Sequence, residues 1–192
     1  MAGDAYPVIV SGVRRGWYFQ YKPEFGPTLS PTYLGAVAGA NAACNGIIFE
    51  LPAHPHELEA LSWREQGYVL AKLDPADVQL VDGDVSLSDA DIWFYACIER
   101  SLPNVTHPIV QSYVDDCVVG CLEIEDAFPL AKQTSFARQF VESTDGWQAP
   151  WLNDRPLPWR PSRHTPRAWD VDELLYDVLG PDLFARIKVP GF

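Results

Sequence analysis

Positive charge is scarce in this chain: 14 Lys and Arg stand against 26 Asp and Glu, a net charge of −12. A surface of that sign repels phosphate backbones and anionic lipid headgroups, so neither nucleic acid nor membrane is expected as a partner. Cysteine is scarce too. Cys44, Cys97, Cys117 and Cys121 are the four present, and no two stand in a CxxC spacing. That excludes an obvious zinc ribbon or disulfide framework and leaves buried free thiols, which suit a reducing cytosol. No apolar run approaches the roughly 20 residues that a membrane-spanning helix needs. Met1–Pro7 has neither the basic region nor the apolar stretch of a signal peptide. No segment repeats and none is of low complexity, so a soluble, cytoplasmic protein is expected.

What is present suits one globular domain. The 192 residues are 47% hydrophobic and 21% charged, enough for one core and short for two. Residues 1–192 are therefore read as a single domain, and its charge is uneven. Residues 1–144 carry 8 Lys/Arg against 19 Asp/Glu, whereas residues 145–192 carry 6 against 7.

The first half reads as strands. Tyr6–Ser11 and Gly16–Tyr21 are extended segments, and Lys22–Pro31 is a loop. Thr32–Val37 and Cys44–Leu51 look like paired strands, with Gly39–Asn41 supplying the turn. Leu73–Asp91 is an Asp-rich surface excursion, and Asp91–Ile98 a buried strand. Mostly strands with one helix inserted predicts a mixed or antiparallel sheet curling towards a small barrel. From Ile109 the period changes to helical, with apolar pairs at 109/110, 113/114, 117/118 and 121/122. A second helix is expected near Ser135–Glu142. Residues 145–169 are an irregular Trp/Pro/Arg-rich segment, and a last helix over 170–180 has Asp170 as its cap and Gly180-Pro181 as its stop.

The stretch Leu58–Leu73 carries the chemistry. Pro55 suits a first helical turn, Leu58 and Leu61 follow at helical spacing, and Gly67 stops the helix before the strand Tyr68–Leu73. Glu65 then sits in the last turn, facing the negative end of the helix dipole. If Leu61, Trp63 and Tyr68 shield it, its pKa is expected to rise towards neutrality and fit it for proton transfer. The other reading is a solvated glutamate at a helix end.

Taken together, Asn45-Gly-Ile-Ile-Phe-Glu-Leu, the setting Arg64-Glu65-Gln-Gly67-Tyr68, the strand Trp93-Phe-Tyr95 and the segment Gln111–Leu122 resemble the gamma-glutamylcyclotransferase-like family. Trp151-Leu-Asn153-Asp-Arg155-Pro resembles the C-terminal element of one bacterial branch. The resemblance covers roughly Val8–Arg167 and implies an α+β fold, a small mixed barrel with outer helices and a pocket at one end. It implies cyclisation of a γ-glutamyl amide to 5-oxoproline with release of the amine, a lyase or transferase chemistry needing no cofactor. The acid/base glutamate of the family falls on Glu65. Substrate contacts are expected from Tyr95, Tyr113, Asn153 and Arg155.

The family's opening Tyr-Gly-Ser turn, whose amides receive substrate oxygens, does not occur here. Phe25-Gly26-Pro27 replaces it poorly, since Pro27 has no N–H to donate. Val8–Trp17 matches the element after that turn. The barrel is therefore expected to lack a strand, and the exposed edge to be filled by a second copy or a strand-donating partner.

Other groupings leave alternatives open. His54, His56, Glu57 and Glu59 crowd one helix start without a metal-ligand spacing, so no metal site is expected. His107 and His164 have no partner that sequence identifies. Arg155, Arg160, Arg163, His164 and Arg167, with Trp151 and Trp159 among them, could hold a carboxylate or phosphate, or could pair with the acidic body of the protein. Tyr95 and Tyr113 could face a pocket or the core. Besides the cyclotransferase, two readings remain: a silent relative binding an acidic metabolite or a protein, and the same glutamate redirected to another amide or acyl transfer.

Overall fold

The computed structural model describes residues 5–20, 30–51, 54–158 and 166–188. Phe25, Gly26, Pro27, Trp159, Arg160, Arg163 and His164 lie outside them, as does most of the expected loop from Lys22.

The first half is built on a long antiparallel hairpin, β1 (Ala5–Gln20) with β2 (Thr32–Phe49). Four segments were expected where these two strands run. The expected turn at Gly39–Asn41 is instead a bulge. Ser11 opposes Ala43 and Val13 opposes Ala38, so four residues of β2 face the single Gly12. Gly12 (φ 74°) and Asn41 (φ 61°) take left-handed conformations there, and the hairpin bends without reversing. Local turn chemistry was real, but cross-strand pairing on both sides of it kept the chain in one strand.

Next come α1 (Pro55–Arg64), β3 (Tyr68–Leu73), β4 (Val78–Leu80) and β5 (Ile92–Cys97). The Asp-rich excursion is thus not all surface: Val78 is buried, and β4 pairs antiparallel with Val8–Val10 of β1. β3 and β5 form a two-stranded ribbon with Tyr68 opposite Cys97 and Leu70 opposite Tyr95.

The second half supplies the helices. β6 (Ile109–Val110) leads into α2 (Gln111–Ala127), followed by α3 (Pro129–Gln133), α4 (Phe136–Glu142), β7 (Thr144–Asp145), β8 (Trp151–Leu152), α5 (Ala168–Leu179) and α6 (Pro181–Phe184). Ile109 and Val110 carry helix-like spacing but pair parallel with Trp151–Leu152, so the helix begins two residues later. Val114, Val118 and Cys121 of α2 pack with Trp17, Phe136, Phe140, Trp151, Val171 and Leu175 in the main core. A smaller core of Val8, Val78 and Ile92 lies between hairpin and ribbon. Asp170 does not cap α5. Arg167 holds that place, and its Nε donates to Asp170 Oδ2 at 2.8 Å.

The architecture is α+β. Among the described residues no sheet closes into a barrel: β2-β1-β4 with β7 beside β1, the β3–β5 ribbon and the β6–β8 pair are separate. The ribbon approaches β2 at Gly35, where Cys97 Sγ fills the space that a Cβ would need, but no ladder joins the two. Among the described residues no helix is long and apolar enough to cross a membrane.

Candidate functional site

Glu65 closes α1. Its N–H bonds the Leu61 carbonyl at 3.0 Å, and its own carbonyl receives the Tyr68 N–H at 3.1 Å. Gly67, at φ 93°, makes the reversal that lets β3 start at once. The Glu65 side chain is 22% exposed and accepts Arg64 Nε at 2.8 Å. That ion pair is local, between adjacent residues, and was not foreseen. Nor does Trp63 shield the carboxylate, since it stands 75% exposed on the helix.

Tyr68, another of the expected neighbours, begins an aromatic run beside Glu65. The Tyr68 ring lies 4.0 Å from Phe19, Phe19 6.4 Å from Tyr33, and Tyr33 5.2 Å from Tyr113. Tyr113 then meets Trp17 edge-on at 5.8 Å. The Tyr68 hydroxyl donates to the Leu34 carbonyl at 2.8 Å. Burial is the main force raising the Tyr68 pKa, and the neighbouring Cys97 thiol and Glu65 carboxylate raise it further. Tyr95 lies one step along from the Tyr68–Cys97 rung, on the same ribbon face. The run thus leads from Tyr68, beside Glu65, through Phe19 and Tyr33 to Tyr113, while Tyr95 shares the ribbon face of Tyr68 and Cys97. Tyr68 was expected beside Glu65 from the sequence; Phe19, Tyr33 and Cys97 were not picked out for the site.

Asn153 and Arg155 sit elsewhere. Arg155 lays four hydrogen bonds of 2.7–2.9 Å on two carboxylates, Asp115 of α2 and Asp172 of α5. Burial alone would lower its pKa, and the two carboxylates outweigh that and raise it. Asn153 Oδ1 accepts the Arg155 N–H at 3.2 Å, while Asn153 N–H bonds the Lys188 carbonyl. Asp154, between them and buried, takes the Ser112 N–H at 2.7 Å and the Ser112 hydroxyl at 2.6 Å. Asp154 and Arg155 thus pin the start of α2 at Ser112 and Asp115, on either side of Tyr113. Of the two readings left open for Arg155, pairing with the acidic body describes its contacts. Arg167 does the same, bonding Asp126 and Asp170.

An open cleft of about 290 Å³ lies on another part of the molecule. Ile9, Ala43, Cys44 and Asn45 of the hairpin, Gln139 and Glu142 of α4 and Ser143 just after it line the cleft, and none of the expected site residues does. Arg15 stands behind its wall, donating to Asn45 Oδ1 (2.9 Å), Ser143 Oγ (2.9 Å) and the Phe140 carbonyl (3.0 Å). Among the described residues no group of His, Cys, Asp and Glu is arranged to hold a metal ion. Comparisons with protein-family models, curated proteins and solved structures find no match to this chain.

Proposed function

We propose that this chain is a gamma-glutamylcyclotransferase-like enzyme of the cytosol, cyclising a γ-glutamyl amide to 5-oxoproline with Glu65 as general acid and base. The observation that carries the reading is the position of the Glu65 carboxylate: at a helix end, about four-fifths covered, beside Tyr68, from which ring contacts run through Phe19 and Tyr33 to Tyr113. The reaction is an internal aminolysis. The glutamyl α-nitrogen bonds to its own γ-carbonyl carbon, and the bond from that carbon to the departing amine breaks. Glu65 takes one proton from the α-ammonium before attack and a second from the same nitrogen afterwards, passing both to the leaving nitrogen, which departs as an ammonium, so no redox partner or cofactor is needed. Folding the substrate into a ring-like pose supplies much of the acceleration. Tyr95 and Tyr113 offer phenols to that pose. Asn153 and Arg155 act through α2, holding Tyr113 in place, and the family's closed barrel would need a further strand between hairpin and ribbon.

A second reading has an observation in its favour. Arg64 already occupies the Glu65 carboxylate, and the chain lacks the Tyr-Gly-Ser amides that would stabilise the developing oxyanion, worth about 3–4 kcal/mol per donor. A silent relative binding an acidic metabolite or a protein would show both features. Assay of 5-oxoproline release from γ-glutamyl amides decides between them. The enzyme reading expects turnover by the natural chain and a loss of about 10²–10⁴-fold in Glu65→Gln, which keeps the volume but cannot shuttle a proton. No turnover by the natural chain leaves the silent relative. Equal rates in chain and variant remove Glu65 from the chemistry.

A further inference from the structure

The outer edge of β2 has an unusual composition for a strand so placed. From Thr32 to Phe49 it holds no Asp, Glu, Lys, Arg or His, in a protein of net charge −12. β1 occupies one side, and among the described residues no strand pairs with the other. Exposed edges are normally blunted by charge, proline or bulges, because free N–H and C=O groups template another strand. Among the described residues the devices here are an irregularity opposite Tyr18 and the bulge around Asn41. Beyond it, Ala43–Phe49 runs in unbroken register with β1.

Two features share one face of this segment. At its far end Ile47, Phe49 and Leu51 form a row at a spacing of two, 46%, 41% and 49% exposed. At its near end Ala43 and Asn45 open into the cleft, whose floor includes the apolar Ile9 and Cys44. Row and cleft are thus separated along the strand by only a few residues.

We propose that a second copy of this chain docks here, with the two Ala43–Phe49 segments pairing antiparallel about a two-fold axis. Such a pairing brings the end of one segment beside the start of the other. The partner's Phe49 then lies against Ala43 and enters the cleft, and the reverse contact forms by symmetry, as a closed two-fold interface requires. Each copy supplies both the protruding row and the recess that receives it. Charge selects the same surface. Two bodies of net charge −12 repel over most approaches, whereas Thr32–Phe49 carries no charged residue and Glu142 in the cleft has Arg138 3.7 Å away. The pairing requires neither the proposed catalysis nor a ligand.

Sedimentation at tens of micromolar tests it with the full chain. The natural protein should sediment as a dimer, twice the 21.5 kDa of the chain. Phe49→Asp should weaken association by at least about 100-fold, by bringing a carboxylate against the Glu142 that lines each receiving cleft. Ala43→Trp, which fills the receiving cleft while leaving Phe49 intact, should do the same from the other side. Both variants are read only after far-ultraviolet circular dichroism shows the native fold. Trp169→Lys, at an exposed apolar residue of α5, should leave the dimer unchanged. A natural chain of 21.5 kDa at these concentrations overturns the proposal. So does a dimer that survives both edge substitutions.

Discussion

Arg155 and Arg15 are both drawn inside and meet opposite surroundings. Arg155 faces two carboxylates, one of them almost sealed: the Asp115 side chain is 1% exposed and also receives Gln111 Nε2 at 2.9 Å. Among the described residues Arg15 donates to neutral acceptors, from Thr144 Oγ1 at 2.8 Å to the Asn45 carbonyl, and burial pushes its pKa down. Its cation is held by hydrogen bonds and by the Phe140 ring 4.2 Å below it. The contrast gives Arg155 a structural prediction. Arg155→Ala leaves a buried carboxylate without its cation, which costs about 3–5 kcal/mol. Urea unfolding should register the loss, and Arg155→Lys should recover only part of it, because an ammonium cannot fork across two carboxylates. A variant as stable as the natural chain but with a raised KM would return Arg155 to the substrate.

Between residue and fold, the elements that matter for the site are joined by short, constrained links. α1 passes to β3 through Glu65, Gln66 and Gly67, and the link works because Gly67 can hold φ 93°. A Cβ there would also stand 2.7 Å from the Phe19 ring, the ring that backs Tyr68. Gly67→Ala should therefore cost more than the roughly 1 kcal/mol of an ordinary glycine replacement. It should also lower any turnover beyond its effect on folding, since it displaces the ring that backs Tyr68, the neighbour of Glu65. Thermal unfolding and 5-oxoproline release measured together check both parts. Full activity at a lowered melting temperature would show that the Glu65 position tolerates movement of Phe19. α2 is fixed differently. Its first residues have no cap of their own, and Asp154, 42 positions away, supplies the acceptor for Ser112.

For the whole molecule, the pH response follows from a few pairs rather than from the net charge of −12. Burial pushes the Asp145 carboxyl up, but hydrogen bonds from Arg14 (2.9 Å) and Tyr18 (2.8 Å) outweigh it and hold its pKa below the ordinary value. A carboxyl with a folded value below the unfolded one stabilises above about pH 4, and that contribution is lost as pH falls through the folded value. Tyr18 is the reverse case. Burial first, then the bond to Asp145, pushes it up to about 12, so its contribution is intact below about pH 10 and is lost as pH rises from there towards 12. Asp145→Asn should thus flatten both limbs of the stability–pH curve measured by urea titration. Both limbs unchanged would mean that the Arg14–Asp145–Tyr18 group is too open to solvent to matter.

Where a signal is carried by neighbours along the chain, the sequence determined the outcome. The helix–Gly67–strand unit, the period of α2 and the apolar face of Leu174, Leu175 and Val178 on α5 are all visible there, because backbone sterics and amphipathic spacing act within a few residues. The α+β class follows from the same signals. Only the tertiary structure decided that Gly39–Asn41 is a bulge and not a turn, since β1 pairs on both sides of it. It also decided that Ile109–Val110 joins β8, and that Arg155 goes to Asp115 and Asp172. The Arg155 fork could be read two ways because guanidinium chemistry is the same for a substrate anion and for a carboxylate 40 residues away. Long-range pairing resolves such degeneracies: its partners are chosen by where the chain returns in space, and no local pattern encodes that.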